Sequence, residues 1–264
     1  MISDYSIQIF KRIDYNYFKP EGSGVLVDYY GVPCIISATH VFENDDEKTT
    51  ESDPELYYQT FDGEYIFLGT WQAALSFEMD IKGVKPRHEI IISMIPKSLY
   101  SALIGDGKYF YCYSDIYHYP ALIDTKVIDG KKCIGCGFPT SYYRGNFYRD
   151  IPDWEERIFM SNIEYKDYIY KKNRINSGSH IVVRFIQKRV FDMHKQRYIR
   201  FPKPYGMSGG GIWIEHNGKY RLAGIMTYLD TTKSSIICTR IDYKVPELLD
   251  DYIKDIKDSK SYGI

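Results

Sequence analysis

The sequence contains no run of about 18 apolar residues, so nothing in it reads as a membrane-spanning helix. Its start, Met1-Ile2-Ser3-Asp4-Tyr5-Ser6, has no basic stretch, apolar core or small-residue cleavage site, and is expected not to be an export signal. Cysteine is scarce and odd in number: Cys34, Cys112, Cys133, Cys136 and Cys238. Their scattered spacing argues against a disulfide framework and for a reducing compartment, so a cytoplasmic protein is expected. Cys133-Ile134-Gly135-Cys136 is a lone C-x-x-C with no second pair to complete a zinc site. It reads as two strand cysteines buried as small hydrophobes, and no metal or cofactor is expected. Nor is there an excess of charge of one sign. The 34 basic residues nearly balance 35 acidic ones, a formal net charge of −1, which gives no overall electrostatic footprint for nucleic acid. Short basic runs such as Lys171-Lys172-Asn173-Arg174 read as solvated surface.

Also missing are internal repeats, low-complexity linkers and, before the last 20 or so residues, long helical periodicity. What fills the 264 residues is a succession of short runs rich in Val, Ile, Tyr and Phe, bounded by Gly, Pro, Asn and Asp. Strands are expected at Tyr5–Phe10, Gly24–Tyr29, Pro33–Ala38, Tyr65–Trp71, Ile90–Ile95, Tyr109–Tyr113, Lys132–Gly137, Ile181–Arg189, Gly210–Glu215, Tyr220–Met226 and Ser235–Ile241. His216-Asn217-Gly218-Lys219 between two of them predicts a tight hairpin, because Asn-Gly accepts positive φ. Val245–Ile256 places Leu248, Leu249, Tyr252 and Ile253 on one side and predicts a C-terminal helix packed on the body. Glu43–Pro54 is polar and acidic and reads as a surface loop. The pattern is that of an all-β sandwich or barrel.

Two segments carry chemistry. Tyr205-Gly206-Met207-Ser208-Gly209-Gly210-Gly211 leads into the apolar run Ile212-Trp213-Ile214. A nucleophilic serine needs such neighbours: its hydroxyl must project from a tight turn, and nearby N–H groups must be free to hold an oxyanion. Ile35-Ile36-Ser37-Ala38-Thr39-His40-Val41-Phe42 runs an apolar strand into a small-residue turn ending in His40. A neutral imidazole there is the right base for a serine hydroxyl. The other histidines, His88, His118, His180, His194 and His216, have no such setting.

Taken with Gly22-Ser23-Gly24-Val25-Leu26-Val27 and Leu222-Ala223-Gly224-Ile225-Met226-Thr227, these segments resemble the chymotrypsin/trypsin-like serine protease family. The similarity covers about residues 5 to 243 and is closest to the disulfide-free bacterial trypsin-like peptidases. It implies two six-stranded Greek-key barrels with the active site between them. Residues 1–125 would carry the histidine and the acid, 126–243 the serine, and 244–264 a helix and tail. By the same resemblance His40 is the general base, Ser208 the nucleophile, and Gly206 and Ser208 the oxyanion-hole donors. For the acid, Asp80 and Glu89 both remain open. Asp80-Ile81 has the family's residue type but a short strand, whereas Glu89 heads the better strand, Ile90-Ile91-Ile92-Ser93-Met94-Ile95. A His–Ser dyad is the third possibility.

Met207 stands where the animal enzymes carry an aspartate that pairs with a newly cut N-terminus, so activation by clipping is not expected. No acid lies in Arg200-Phe201-Pro202-Lys203-Pro204, which disfavours a Lys/Arg preference before the cut. The expected function is a serine endopeptidase acting on a protein or peptide substrate, with a regulatory protein partner and no nucleic-acid or membrane partner. The bacterial peptidases it resembles suggest stress response or antiviral (antiphage) defence. The alternative is a catalytically inactive protein-binding module on a trypsin-like fold.

Overall fold

Branched and aromatic side chains pack well on a pleated surface, and the runs that carry them form strands. The computed structural model describes residues 1–15, 17–42, 55–68, 73–77, 87–112, 125–140, 156–232, 234–242 and 245–260. The first half forms β1 (Ser6–Asp14), β2 (Tyr17–Tyr29), β3 (Val32–Ala38), β4 (Leu56–Gln59), β5 (Tyr65–Phe67), β6 (Ala73–Phe77), β7 (Arg87–Met94) and β8 (Tyr111–Cys112). They make one sheet in the order β5-β4-β1-β2-β3-β7-β6, with β8 paired parallel to β2. The second half forms β9 (Lys132–Gly137), β10 (Arg157–Asn162), β11 (His180–Arg184), β12 (Val190–Asp192), β13 (Arg197–Ile199), β14 (Gly211–His216), β15 (Lys219–Asp230) and β16 (Ser235–Arg240). Their order is β11-β16-β15-β14-β9-β10-β12-β13, antiparallel throughout. Three α-helices are described: α1 (Lys97–Gly105), α2 (Asp167–Asn173) and α3 (Val245–Lys260).

The protein is mostly β, as its sequence implies. Each sheet has eight strands, however, rather than six, and neither closes into a barrel among the described residues. The expected run Ile181–Arg189 ends as a strand at Arg184. The chain then turns, with the Arg189 N–H donating to Ile186 O at 2.7 Å, and β12 starts at Val190. Helices α1 and α2 have no counterpart in the sequence reading. Each is short and is held by two buried side chains, Leu99 and Leu103 in α1 and Ile169 and Tyr170 in α2. The 216–219 hairpin forms as expected, with Asn217 and Gly218 at φ of 51° and 74°. Glu43–Pro54 lies outside the described residues.

The core follows the period-two alternation of the strands. On β2, Val25 and Val27 face a cluster shared by both sheets, while Leu26 faces one confined to the first sheet. On β3, Cys34 and Ile36 face the shared cluster and Ile35 the other. Both faces of these strands are buried, which is why they read as continuous apolar runs. The shared cluster joins Val25, Val27 and Ile36 to Trp213, Leu222 and Ile225. Trp213 is fully buried, stacked on Tyr5 at 5.6 Å and edge-on to Tyr111 at 5.0 Å. Val245 and Leu249 dock α3 onto the same cluster, and Tyr29 hydroxyl donates to Asp250.

The alternation also settles the C-x-x-C. Three positions apart on β9, Cys133 and Cys136 face opposite sides of the strand. Cys133 packs in the second sheet's own cluster and Cys136 in the shared one, so the two sulfurs form no chelate. Burial pushes the Cys34 and Cys133 thiols up to about 12, and those of Cys136 and Cys238 well above the usual value of 9. Cys112 is exposed. Native protein at pH 8 is therefore expected to titrate one thiol with an aromatic disulfide reagent, and five after denaturation. Because the buried thiols hold their protons when folded and release them when unfolded, stability should fall as pH rises past about 9. Urea unfolding at pH 7 and pH 10 measures that loss.

Candidate active site

A bulge in the β1–β2 ladder starts the site. Between Ile9 and Phe10 the register shifts, so that Ile9 faces Gly22 and Phe10 faces Pro20. Proline is tolerated there because a bulge relieves the ladder of one N–H. The residues just beyond the bulge, Gly22 and Ser23, meet the Ser208 turn.

Ser23 is fully buried and makes four hydrogen bonds there. Its N–H donates to Ser208 O at 2.8 Å, and its hydroxyl donates to Gly206 O at 2.8 Å. The same hydroxyl accepts from Phe138 N at 2.9 Å, and its carbonyl accepts from Ser37 Oγ at 2.6 Å. The turn is closed from its other side by Gly209 N–H to Met226 O and Met226 N–H to Gly210 O, both 2.8 Å. Gly206 and Gly209 both have φ of +86°. A Cβ on Gly209 would lie 1.9 Å from Ser23 O and 2.1 Å from Ser37 Oγ, so only glycine fits. Met207 is buried in the second sheet's cluster, which anchors the turn by apolar contact. Ser208 itself is half-buried. Among the described residues, neither its hydroxyl nor the N–H groups of Gly206 and Ser208 make a hydrogen bond. Two backbone donors and one hydroxyl of this turn are thus unengaged among the described residues.

His40 is exposed on a single 3-10 turn, Thr39–Val41, that ends β3. The next residue, Val41, packs over Gly22: a Cβ on Gly22 would lie 2.6 Å from both Val41 methyls and 3.1 Å from Ser208 O. The His40 turn and the Ser208 turn therefore meet across Gly22. His40 also lines a cavity of about 250 Å³ with Glu89, Lys172, Thr227, Tyr228 and Ile237. Thr227 reaches it through a second bulge, between Met226 and Tyr228 in the β15–β16 ladder.

Glu89 precedes Ile90, which pairs with Ala38, and so lies across the ladder from the start of the His40 turn. It is buried, and its Oε2 accepts from Thr239 Oγ1 at 2.6 Å and from His180 Nε2 at 2.8 Å. Nδ1 of the same ring lies 2.8 Å from Ser179 Oγ. This chain joins β7 of the first sheet to β11 and β16 of the second. Sequence reasoning placed His180 among histidines without a role. Its partner lies 91 positions away, and no local signal marks it. Asp80, the other candidate acid, lies outside the described residues.

The sequence matches no protein-family model and no curated protein.

Ser23→Ala removes a hydroxyl that touches neither Ser208 Oγ nor His40, yet strands the Gly206 carbonyl and the Phe138 N–H. A loss of about 1–3 kcal/mol in urea unfolding is expected, for the cost of buried unpaired groups. At the second link, His180→Ala and Glu89→Gln should each destabilise the fold. Their double variant should fall short of the sum by about 1–3 kcal/mol, the coupling of a contacting pair, measured as a double-mutant cycle.

Proposed function

We propose that the chain is a serine endopeptidase of the trypsin-like kind. The observation that carries this reading is the Gly206–Gly210 turn, seated by Ser23 beside the His40 turn with two N–H groups and a serine hydroxyl unengaged. In this mechanism Ser208 Oγ attacks the carbonyl carbon of a peptide bond while His40 takes its proton. The N–H groups of Gly206 and Ser208 hold the negative oxygen of the tetrahedral intermediate. His40 returns the proton to the leaving amine, and water then releases the acyl group from Ser208 by the same route. Glu89 serves as the acid from the wall of the cavity it shares with His40, and Asp80 is the competing choice. Met207, buried and uncharged, fits a site that forms without N-terminal clipping. The same reading takes the two sheets as Greek-key barrels. The non-sequential neighbours β3–β7 and β9–β14 support it. It places the enzyme in a bacterial cytoplasm under a regulatory protein partner, in defence against phage or in stress response.

The alternative, an inactive protein-binding module, draws on one observation: Glu89 Oε2 is engaged by His180 and Thr239, both of the second sheet.

A fluorophosphonate probe separates the two. Wild type should label covalently, while Ser208→Ala and His40→Ala should label at least about 1,000-fold more slowly. Wild type as slow as Ser208→Ala would sink the enzyme reading. Of Glu89→Gln and Asp80→Asn, the one that removes the acid should cost about 10⁴ in rate, for loss of the imidazole's orientation.

A further inference from the structure

The second sheet carries a groove on the face turned away from its core. The cross-strand pairs Met160–Phe191, Phe191–Tyr198 and Asn162–Lys132 put these side chains on one face of β9, β10, β12 and β13. The neighbouring Phe159 and its partner Asp192 point the other way and are fully buried. The turn after β11 overhangs this face and closes a groove of about 590 Å³. Along β9 the groove lies about 17 Å from the end that touches the Ser208 turn, at the usual rise of a strand.

Its lining is one-sided in charge. Lys132, Arg184 and Arg189 come from β9, the end of β11 and the turn after it, all exposed, and among the described residues no carboxylate lines the groove. Among the described residues none of the three is ion-paired. The nearest acid on these strands, Asp192, faces Arg157 on the buried side at 3.8 Å. A chain of net charge −1 thus gathers three cations on one concave surface, which focuses a positive field. Beside them lies an aromatic platform. Phe191 and Tyr198 meet edge to face at 5.3 Å, and the Arg189 guanidinium lies 5.2 Å from the Tyr198 ring centre. Tyr198 remains 62 % exposed, a large ring open to a second planar partner. Ser161 and Asn162 add neutral polar groups.

We propose that this groove binds a free nucleoside polyphosphate, with the phosphates on Lys132, Arg184 and Arg189 and the base on the Phe191–Tyr198 pair. The volume suits a ligand of that size, since such sites run from about 300 to 1,000 Å³. An inorganic anion would leave the platform bare, and so would a peptide whose side chains are acidic alone. The inference does not depend on Ser208 being a nucleophile.

The test is calorimetric titration of the whole chain in 150 mM salt with ATP, GTP, tripolyphosphate and a single-stranded oligonucleotide of about 12 bases, long enough to exceed the groove. Saturable one-to-one binding of ATP or GTP is expected, tighter than tripolyphosphate. Arg184→Ala or Arg189→Ala should weaken it about tenfold, the worth of one charge-assisted contact. Tyr198→Ala should weaken it about fivefold or more through lost stacking. Ser208→Ala should leave it unchanged. The Arg184, Arg189 and Tyr198 side chains are exposed, so their variants are expected to fold. Three results would overturn the proposal. Neither nucleotide binds saturably; tripolyphosphate binds as tightly as ATP, with Tyr198→Ala without effect; or the oligonucleotide binds more tightly than either nucleotide.

Discussion

Ser23 is the residue on which the candidate site depends. Through its N–H, its hydroxyl and its carbonyl it fixes the Ser208 carbonyl, the Gly206 carbonyl, the Phe138 N–H and the Ser37 hydroxyl. Those groups belong to the Ser208 turn, to the residue that follows β9, and to the strand that leads into the His40 turn. A buried polar network of this kind has a narrow optimum, because each unpaired member would cost free energy out of reach of water. The turn has little freedom left once Ser23 is placed. Its two glycines at φ of +86° adopt a backbone that other residues rarely reach, and the surrounding bonds hold them there. Ser208 is consequently positioned by groups that it does not touch with its own hydroxyl.

The seam between the sheets has two kinds of contact. Most of it is apolar: Val25, Val27 and Ile36 against Trp213, Leu222 and Ile225. Such contact is strong, at about 1.5–3 kcal/mol for each large side chain buried, but it is not directional. Directional bonds also cross the seam: Ser6 Oγ donates to Cys136 Sγ, and two further links lie where chemistry is proposed. Ser23 reaches the Ser208 turn, and Glu89 reaches His180 and Thr239. Apolar packing thus brings the sheets together, and these two polar links set how they sit at the His40 end. Two strand bulges serve the same end. One accommodates Pro20 and delivers Gly22 and Ser23, and the other turns Thr227 into the cavity beside His40.

How much of this the sequence reveals follows from the range of each interaction. Strands with alternating or fully apolar patterns were legible, since burial period is a local property: β3, β9, β14 and β16 fall within a residue or so of expectation. Strands β4, β10 and β13 were not. Their runs are short and polar-interrupted, and it is pairing with a distant neighbour that makes them strands. Helices α1 and α2 escaped for a related reason, because two buried side chains each give no sustained period. At the site, the Gly206–Gly210 turn and His40 could be singled out because a tight glycine turn and a strand-ending histidine are local patterns. Ser23 lies within Gly22–Val27 with no local sign of its role, as its partners Ser37, Phe138, Gly206 and Ser208 are all remote in the chain.

Strand β9 shows why such roles are invisible locally. Its sequence, Lys132-Cys133-Ile134-Gly135-Cys136-Gly137, invites a metal or redox reading. Pleating instead sends Cys133 and Cys136 to different cores, and Gly135 leaves room for the Phe159 ring, which a Cβ would meet at 2.2 Å. At its far end Gly137 lies against Met207 and the Ser23 hydroxyl, while its first residue, Lys132, belongs to the basic groove on the outer face. One short strand therefore abuts the Ser208 turn and supplies a cation to a separate surface. What each of its residues does is decided by the face it presents and the strand it meets, and neither is written in the six letters themselves.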